Sequence, residues 1–352
     1  KRLIKAGLLC WEAGGSGARP EGDSMDRGDG IQNLQKMVQA AKMYYQEGLT
    51  QETIAKKLRT SRPAVSLLLA EARKTGVVQI KIKDPEVNNE ELAGQFQKRF
   101  GLKKCLVIPC GIRQEDVVLK IVASQAARFA SRMMKSHTTV GTSWGGSCYE
   151  FMQAFPEDTE LCNITVVPLV GGSPLLTREF QLIESVREFS EKLRGTPVVL
   201  YSPGFVDTIE DKKRYMGSLY MQSVLEKWRT LDFAVIGVGR PPESYEAEPG
   251  RAANLLEEIN RYPDKAVSDL CARRINIRGE FIRCNYNDKV IGIEERDLRS
   301  TNQVLAVAVG SSKIFSIIGA LNSGILDYFA TDEETARQVL NVLDSKVIKA
   351  LQ

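Results

Sequence analysis

A chain of 352 residues, 43% hydrophobic and with a formal net charge of +4, is long enough for a large core and for two domains. Seven scattered cysteines without a Cys-x-x-Cys pair exclude a disulfide frame or zinc ribbon and suggest reduced thiols in a cytoplasmic protein, while a lone histidine, His137, excludes a multi-histidine metal site. No apolar run approaches the roughly 20 residues that cross a bilayer, so neither a membrane partner nor a metal or cofactor is expected.

Residues 1–24 combine a short apolar stretch with Gly-Gly-Ser-Gly-Ala-Arg-Pro and are expected to be disordered or an over-extended N-terminus, with Met25 as the natural start. From Ile31 to Glu47, Leu34, Met37, Val38, Ala41 and Tyr45 recur at helical spacing, and Gly48 ends the helix. Residues 49–74 then read as a helix-turn-helix. Ile54, Leu58, Val65 and Leu68 fall where two steeply crossing helices need apolar contacts, and Ala55 is small enough for close approach. Thr50 and Ser61 are the expected N-caps, the second directly before Arg62-Pro63. Arg59 occupies a turn position that favours glycine, at a cost of about 1 kcal/mol if its φ is positive.

Charge supports a nucleic-acid role for this segment. Residues 31–83 hold ten Lys and Arg against three Glu, whereas the rest of the chain is slightly acidic, and a local cationic footprint is what counterion release from a phosphate backbone requires. Thr60, Ser61, Arg62 and Ser66 are positioned to approach base edges, with Arg62 suited to a bidentate guanine contact. Lys56, Lys57 and Arg73 are expected on phosphates, and Gln51 joins the DNA-contacting set. The expected DNA-binding domain covers residues 25–84. Val77–Lys83 alternates apolar and polar residues like a wing strand before Asp84-Pro85 breaks it. Residues 85–104 form a linker whose helix, with Leu92, Phe96 and Phe100 on one stripe, serves either domain packing or a dimer contact.

From Cys105 onward, strand-like and helical runs alternate as in an α/β domain with a mainly parallel, Rossmann-like sheet over residues 105–352. Expected strands are 105–108, 138–140, 163–170, 197–200, 233–238, 280–284, 304–309 and 325–329. Expected helices are 117–134, 146–155, 179–193, 212–228, 313–321 and 332–351. Four strand ends run into small-residue loops. Gly141, Thr142, Ser143, Trp144, Gly145 and Gly146 open a helix whose amides favour an anion. Gly171-Gly172, Gly237-Val238-Gly239 and Gly310-Ser311-Ser312-Lys313 are the others, and together they make a sugar-phosphate pocket if they converge. Asp269 is either a helix-start carboxylate or an acceptor for sugar hydroxyls.

The residues from about 34 to the end resemble the SorC family of sugar-responsive bacterial transcription regulators. The resemblance runs through Gly48-Leu49-Thr50-Gln51, Ile54-Ala55, Ser61-Arg62, Val65-Ser66, Ala72-Arg73, Val140-Gly141, Trp144-Gly145, Val170-Gly171-Gly172, Gly237-Val238-Gly239, Gly310-x-x-Lys313 and Thr331-Asp332-Glu333. It implies a winged or helix-turn-helix head, an effector domain similar to sugar-phosphate isomerases and deaminases, and assembly as dimers or tetramers. It further implies that the loop Gly141–Ser147 and Lys313 hold a phosphate and that Asp269 meets sugar hydroxyls. Around that acid, Ser268–Ala272 lacks the glycines usual in the family. The expected function is a non-enzymatic regulator whose binding to double-stranded operator DNA responds to a small phosphorylated sugar. The rival is a sugar-phosphate isomerase or deaminase carrying a DNA-binding head, which would need a positioned general base or nucleophile.

Overall fold

The computed structural model describes residues 26–78, 87–157, 160–173, 182–241 and 264–345. The expected disordered N-terminus and the wing from residue 79 onward lie outside these. The chain divides into two compact units, residues 1–85 and 86–352.

In the first unit, α1 (Asp26–Tyr45), α2 (Gln51–Lys57) and α3 (Arg62–Lys74) pack together. Their starts follow from local side-chain chemistry: the Thr50 hydroxyl accepts the Thr53 amide and the Ser61 hydroxyl accepts the Ala64 amide, each at 3.3 Å. Ile54, Ala55, Val65, Leu69 and Ala72 are buried with Met37, Ala40 and Ala41 of α1. The buried face of α1 is thus centred on Ala40, and Leu34 and Tyr45, expected on that face, are exposed. In the turn between α2 and α3, Arg59 has φ 50°.

The second unit begins with α4 (Glu90–Phe100), capped by Asn89 and ended by Gly101. Its Leu92, Ala93 and Phe96 are buried on the sheet core of the same chain, so its apolar stripe serves packing within the unit. There follow β1 (Lys104–Ile108), α5 (Glu115–Met133), β2 (Thr139–Thr142), α6 (Gly146–Ala154), β3 (Thr165–Pro168), α7 (Leu182–Lys192), β4 (Thr196–Pro197), α8 (Ile209–Met216), α9 (Leu219–Arg229) and β5 (Phe233–Gly237). A short hairpin, β6 (Ser268–Leu270) and β7 (Arg273–Ile275), precedes α10 (Asn285–Asp288), α11 (Glu295–Arg299), β8 (Val304–Val307), a 3-10 turn Ser311–Lys313, α12 (Ile314–Asn322), β9 (Tyr328–Asp332) and α13 (Glu333–Asp344).

Seven strands form one parallel sheet in the order β1-β9-β8-β5-β2-β3-β4. Helices cover both faces, so β5 and β8 are apolar at nearly every position. In β5, Ala234 and Ile236 join the core that includes α4, α9, α12 and α13, while Phe233 and Val235 join the core of α5, α6 and α7. Four alanines of α5 (Ala123, Ala126, Ala127 and Ala130) are fully buried where it packs between α6 and the sheet. The strand steps run outward from β2 through β3 to β4, then reverse: β5 lies on the other side of β2, followed by β8 and β9.

Several expected elements differ. Residues 212–228 form two helices, because Ser218 after Gly217 caps a new start by accepting the Met221 amide at 3.3 Å. Residues 280–284 make only a bridge from Phe281 to Ile275 instead of a strand, and the β6–β7 hairpin stands where no strand was expected.

Replacing Arg59 by glycine relieves a left-handed backbone at an exposed site. The expected outcome is a gain of about 1 kcal/mol in the local stability of the helix pair, read from amide hydrogen exchange across residues 51–74. Unchanged or faster exchange would contradict it.

Candidate functional site

The strands β8, β5, β2 and β3 are neighbours at the sheet centre, and each delivers one of the four small-residue loops at its C-terminal end. The structure therefore brings together what the sequence separates. The Gly237 Cα faces Ser147, Cys148 and the Trp144 carbonyl across the β2–β5 boundary. Gly171 is held where a side chain cannot fit: a Cβ there would lie 2.3 Å from the Pro203 carbonyl oxygen. Segment 202–205 crosses at this point, with Gly172 donating to Ser202 O at 2.8 Å and Gly204 donating to Gly172 O at 2.6 Å. Trp144 packs against Gly204, and its ring begins an aromatic row through Phe205 (6.2 Å) to Tyr286 (4.9 Å), which carries the Arg274 guanidinium at 3.7 Å. That row walls one side.

On the β2 loop, Thr142, Ser143 and Ser147 are buried. Gly145, the N-cap of α6, has φ 107° and no side chain with which to cap, so the cap residue leaves the first-turn amides of α6 to other acceptors. The Cys148 thiol donates to Val235 O at 3.8 Å, and burial pushes it up to about 12, leaving it neutral.

Asp269 is brought to the crevice by backbone pairing: Gly239 donates to Asp269 O at 2.9 Å and Asp269 donates to Gly239 O at 3.1 Å. It lies on β6, not at a helix start. Its half-buried carboxylate accepts the Ala272 amide at 3.0 Å. Burial pushes this carboxyl up to about 6, against the Ala272 amide, Arg274 and Arg273, which favour the ionised form. The hairpin turn is made by Cys271 (φ 51°) and Ala272 (φ 66°), both left-handed, and the Cys271 thiol meets Ser143. Buried Arg273 anchors the hairpin by donating to the carbonyls of Ile293 (2.7 Å), Asn287 (3.1 Å) and Gly292 (3.1 Å) and pairing with Glu294 at 2.9 Å.

At the end of β8, Gly310 has φ 104° and lies against the Glu115 carboxylate; its amide donates to Thr335 Oγ1 at 2.9 Å, and Thr335 in turn donates to Asp332. Half-buried Lys313 follows. Burial lowers its ammonium from the ordinary lysine value; Glu115 works against that shift and Arg240 adds to it. Among the described residues, no cluster of three or more His, Cys, Asp or Glu could hold a metal ion, and no helix is long and apolar enough to cross a membrane.

In the first unit, Lys56, Lys57, Thr60, Ser61, Arg62, Ser66 and Arg73 are exposed, and Gln51 is half-buried at the start of α2. Lys56 pairs with Glu52 at 3.4 Å in the open, a bond worth little in water. Sequence reasoning missed Glu115, Arg273, Cys271, Thr335 and Phe205. Only the strand order brings them to the crevice, and none carries a local motif.

Residues 84–341 match the family described as "Putative sugar-binding domain". The chain is 29% identical over 320 residues to the deoxyribonucleoside regulator of Bacillus subtilis, covering 91% of this chain and 100% of that one. It is 25% identical to the sorbitol operon regulator of Klebsiella pneumoniae, covering 88% and 98%. The crystal structure of that full-length regulator, SorC, aligns with a TM-score of 0.66 over 87% of this chain and 98% of its own.

The raised Asp269 carboxyl fixes the sign of a pH effect. Between its ordinary value of 3.8 and about 6, the folded state binds the proton more tightly than the unfolded one, so stability falls as pH rises through this window. Asp269→Asn removes that loss. The expected outcome is a variant more stable than the parent above pH 6, by on the order of 1–2 kcal/mol after allowing for solvent at the half-buried group, and level with it near pH 4. Denaturation midpoints across pH check this, and parallel curves would refute it.

Proposed function

This chain belongs to the SorC family of sugar-responsive transcriptional regulators, and on that premise we propose that it binds operator DNA through residues 51–74 under the control of a small phosphorylated sugar. The observation that carries the effector half is the meeting of four strand-end loops where the strand order reverses, with Lys313 and the start of α6 at the same crevice. A neutral sugar alone gives no reason for a half-buried ammonium held below its ordinary value. A phosphate dianion beside it would offset that burial and favour the charged form. Gly141, Thr142, Ser143, Gly145 and Gly146 then surround the phosphate end, Trp144, Gly171 and Gly172 shape the wall, and Asp269 accepts from sugar hydroxyls.

The DNA half rests on the capped helix pair and its cationic excess. Arg62, at the first position of α3, is placed for a guanine, with Thr60, Ser61 and Ser66 beside it. Lys56, Lys57 and Arg73 take phosphates, and Gln51 at the start of α2 joins the DNA-contacting set. The two named relatives are matched over nearly their whole length, so both units have counterparts in regulators. One head buries too little DNA for tight selectivity, and a symmetric dimer or tetramer acting in the cytoplasm follows from that. The sugar phosphate changes operator affinity only by preferring one arrangement of the paired heads over another.

Two substitutions test the two halves separately, by fluorescence anisotropy on operator duplex with and without a panel of sugar phosphates. Arg62→Ala is expected to cost roughly 1–3 kcal/mol at the operator and relax selectivity; full affinity in this variant would contradict the placement of α3. Lys313→Ala is expected to keep operator binding and lose the response to every sugar phosphate that shifts the parent protein. A normal response would remove Lys313 from the site, and turnover of a sugar phosphate by the purified protein would favour an enzyme instead.

A further inference from the structure

The exposed side of α3 carries more than the polar residues assigned to DNA above. At about 100° per residue, the buried Val65, Leu69 and Ala72 define one face of the helix. Pro63, Leu67, Ala70 and Lys74 stand opposite to it. Arg62, Ser66 and Arg73 lie together on one flank between the two. Lys74 ends that face in the last turn, and before it the centre of the outward face is Pro63, Leu67 and Ala70, three exposed side chains with no donor or acceptor. Leu67 is 71% exposed, more than any other large apolar residue described in the first unit.

A single exposed leucine is ordinary on a protein surface. This one occupies the middle of the face that enters the major groove if α3 is the recognition helix, flanked by two small or rigid apolar residues. A polar side chain would cost nothing there in the free protein. Of the groups that base pairs present in the major groove, only the thymine C5 methyl is apolar. We propose that Leu67 reads a thymine methyl in each operator half-site, with Pro63 and Ala70 leaving room for its approach. This rests on the DNA-binding reading given above and adds to it a base identity. Arg62 and Leu67 are five positions apart, about 7.5 Å along the helix, so the thymine falls within about three base pairs of the guanine assigned to Arg62.

Deoxyuridine in place of thymidine removes only that methyl. The full-length protein is used to select an operator from a pool of random duplexes, and each thymine of the selected half-site is replaced in turn. The parent protein is expected to lose about four-fold in affinity at one thymine per half-site, the worth of one buried methyl group. Leu67→Ala is expected to bind the thymine and uracil duplexes equally at that position, and Leu67→Met to keep the discrimination. If the parent and Leu67→Ala show the same uracil penalty at every position, Leu67 is not the reader, while the selected operator and the effect of Arg62→Ala leave DNA binding standing. If no duplex is enriched over the random pool, the operator reading fails and this assignment with it.

Discussion

The reversal of strand order between β2 and β5 is the constraint on which the effector unit depends. In a parallel sheet with helices on both faces, chain that steps one way from a strand carries its helix to one face, and chain that steps the other way carries it to the opposite face. Here α6 packs with α5 and α7 on one side, and α12 with α4 and α13 on the other. The loop after β2 and the end of β5 meet at this point, with Gly237 against Ser147, Cys148 and the Trp144 carbonyl, and the loops after β3 and β8 leave the adjacent strands on either side. The small residues at these ends let backbone and ligand approach closely, as the 2.3 Å conflict of any Gly171 Cβ with Pro203 demonstrates for backbone against backbone.

Much of this was legible one element at a time. β5 and β8 announce themselves because a strand covered on both faces must be apolar throughout, and the caps Thr50 and Ser61 because capping is chemistry between residues three apart. Other elements were not. The pattern predicts a strand over 197–200, whereas β4 is Thr196–Pro197 with one further bond from the Val198 amide to Val166 O at 2.7 Å. Thr196 and Val198 donate on the β3 side, so the amide that Pro197 lacks would face the open sheet edge. Phe281 and Ile282 look like strand residues but follow the Gly279 turn and form only one bridge. The hairpin holding Asp269 was hidden because its two-residue turn lacks the Asn-Gly or Asp-Gly signature of such turns. The loops themselves could be found by their glycines, but their convergence is a property of strand order, which no local pattern encodes.

That hairpin also holds backbone strain in place. Cys271 and Ala272 both occupy the left-handed region, at about 1 kcal/mol or more each for a residue with a Cβ. Arg273, the next residue, makes up the difference from the other side: three carbonyls and Glu294 receive its buried guanidinium, and bonds to a charged donor are individually stronger than neutral ones. The tight turn sets Asp269 two residues before Cys271 and directs the Cys271 thiol to Ser143 on the β2 loop. With glycines in place of Cys271 and Ala272 the turn would be relaxed but would lose that contact. In this chain the strained turn and the β2 loop are therefore parts of one wall.

The hydrogen bonds already spent on the fold limit how a ligand can lie. The Gly310 amide is taken by Thr335, itself held by Asp332, so this loop offers an anion the Lys313 side chain and not its first amide. The Glu115 carboxylate stands against Gly310 and repels a second negative charge on that side. Under the proposed reading, a phosphate is thereby driven toward the uncapped start of α6, where backbone amides and the positive helix end await it, with Lys313 reaching across. On that reading Asp269, fixed to Gly239 at the end of β5, takes the hydroxyl end. A sugar phosphate then has one orientation in which both ends are satisfied, and a reversed molecule would set its phosphate beside Asp269 and leave Lys313 with Glu115 alone.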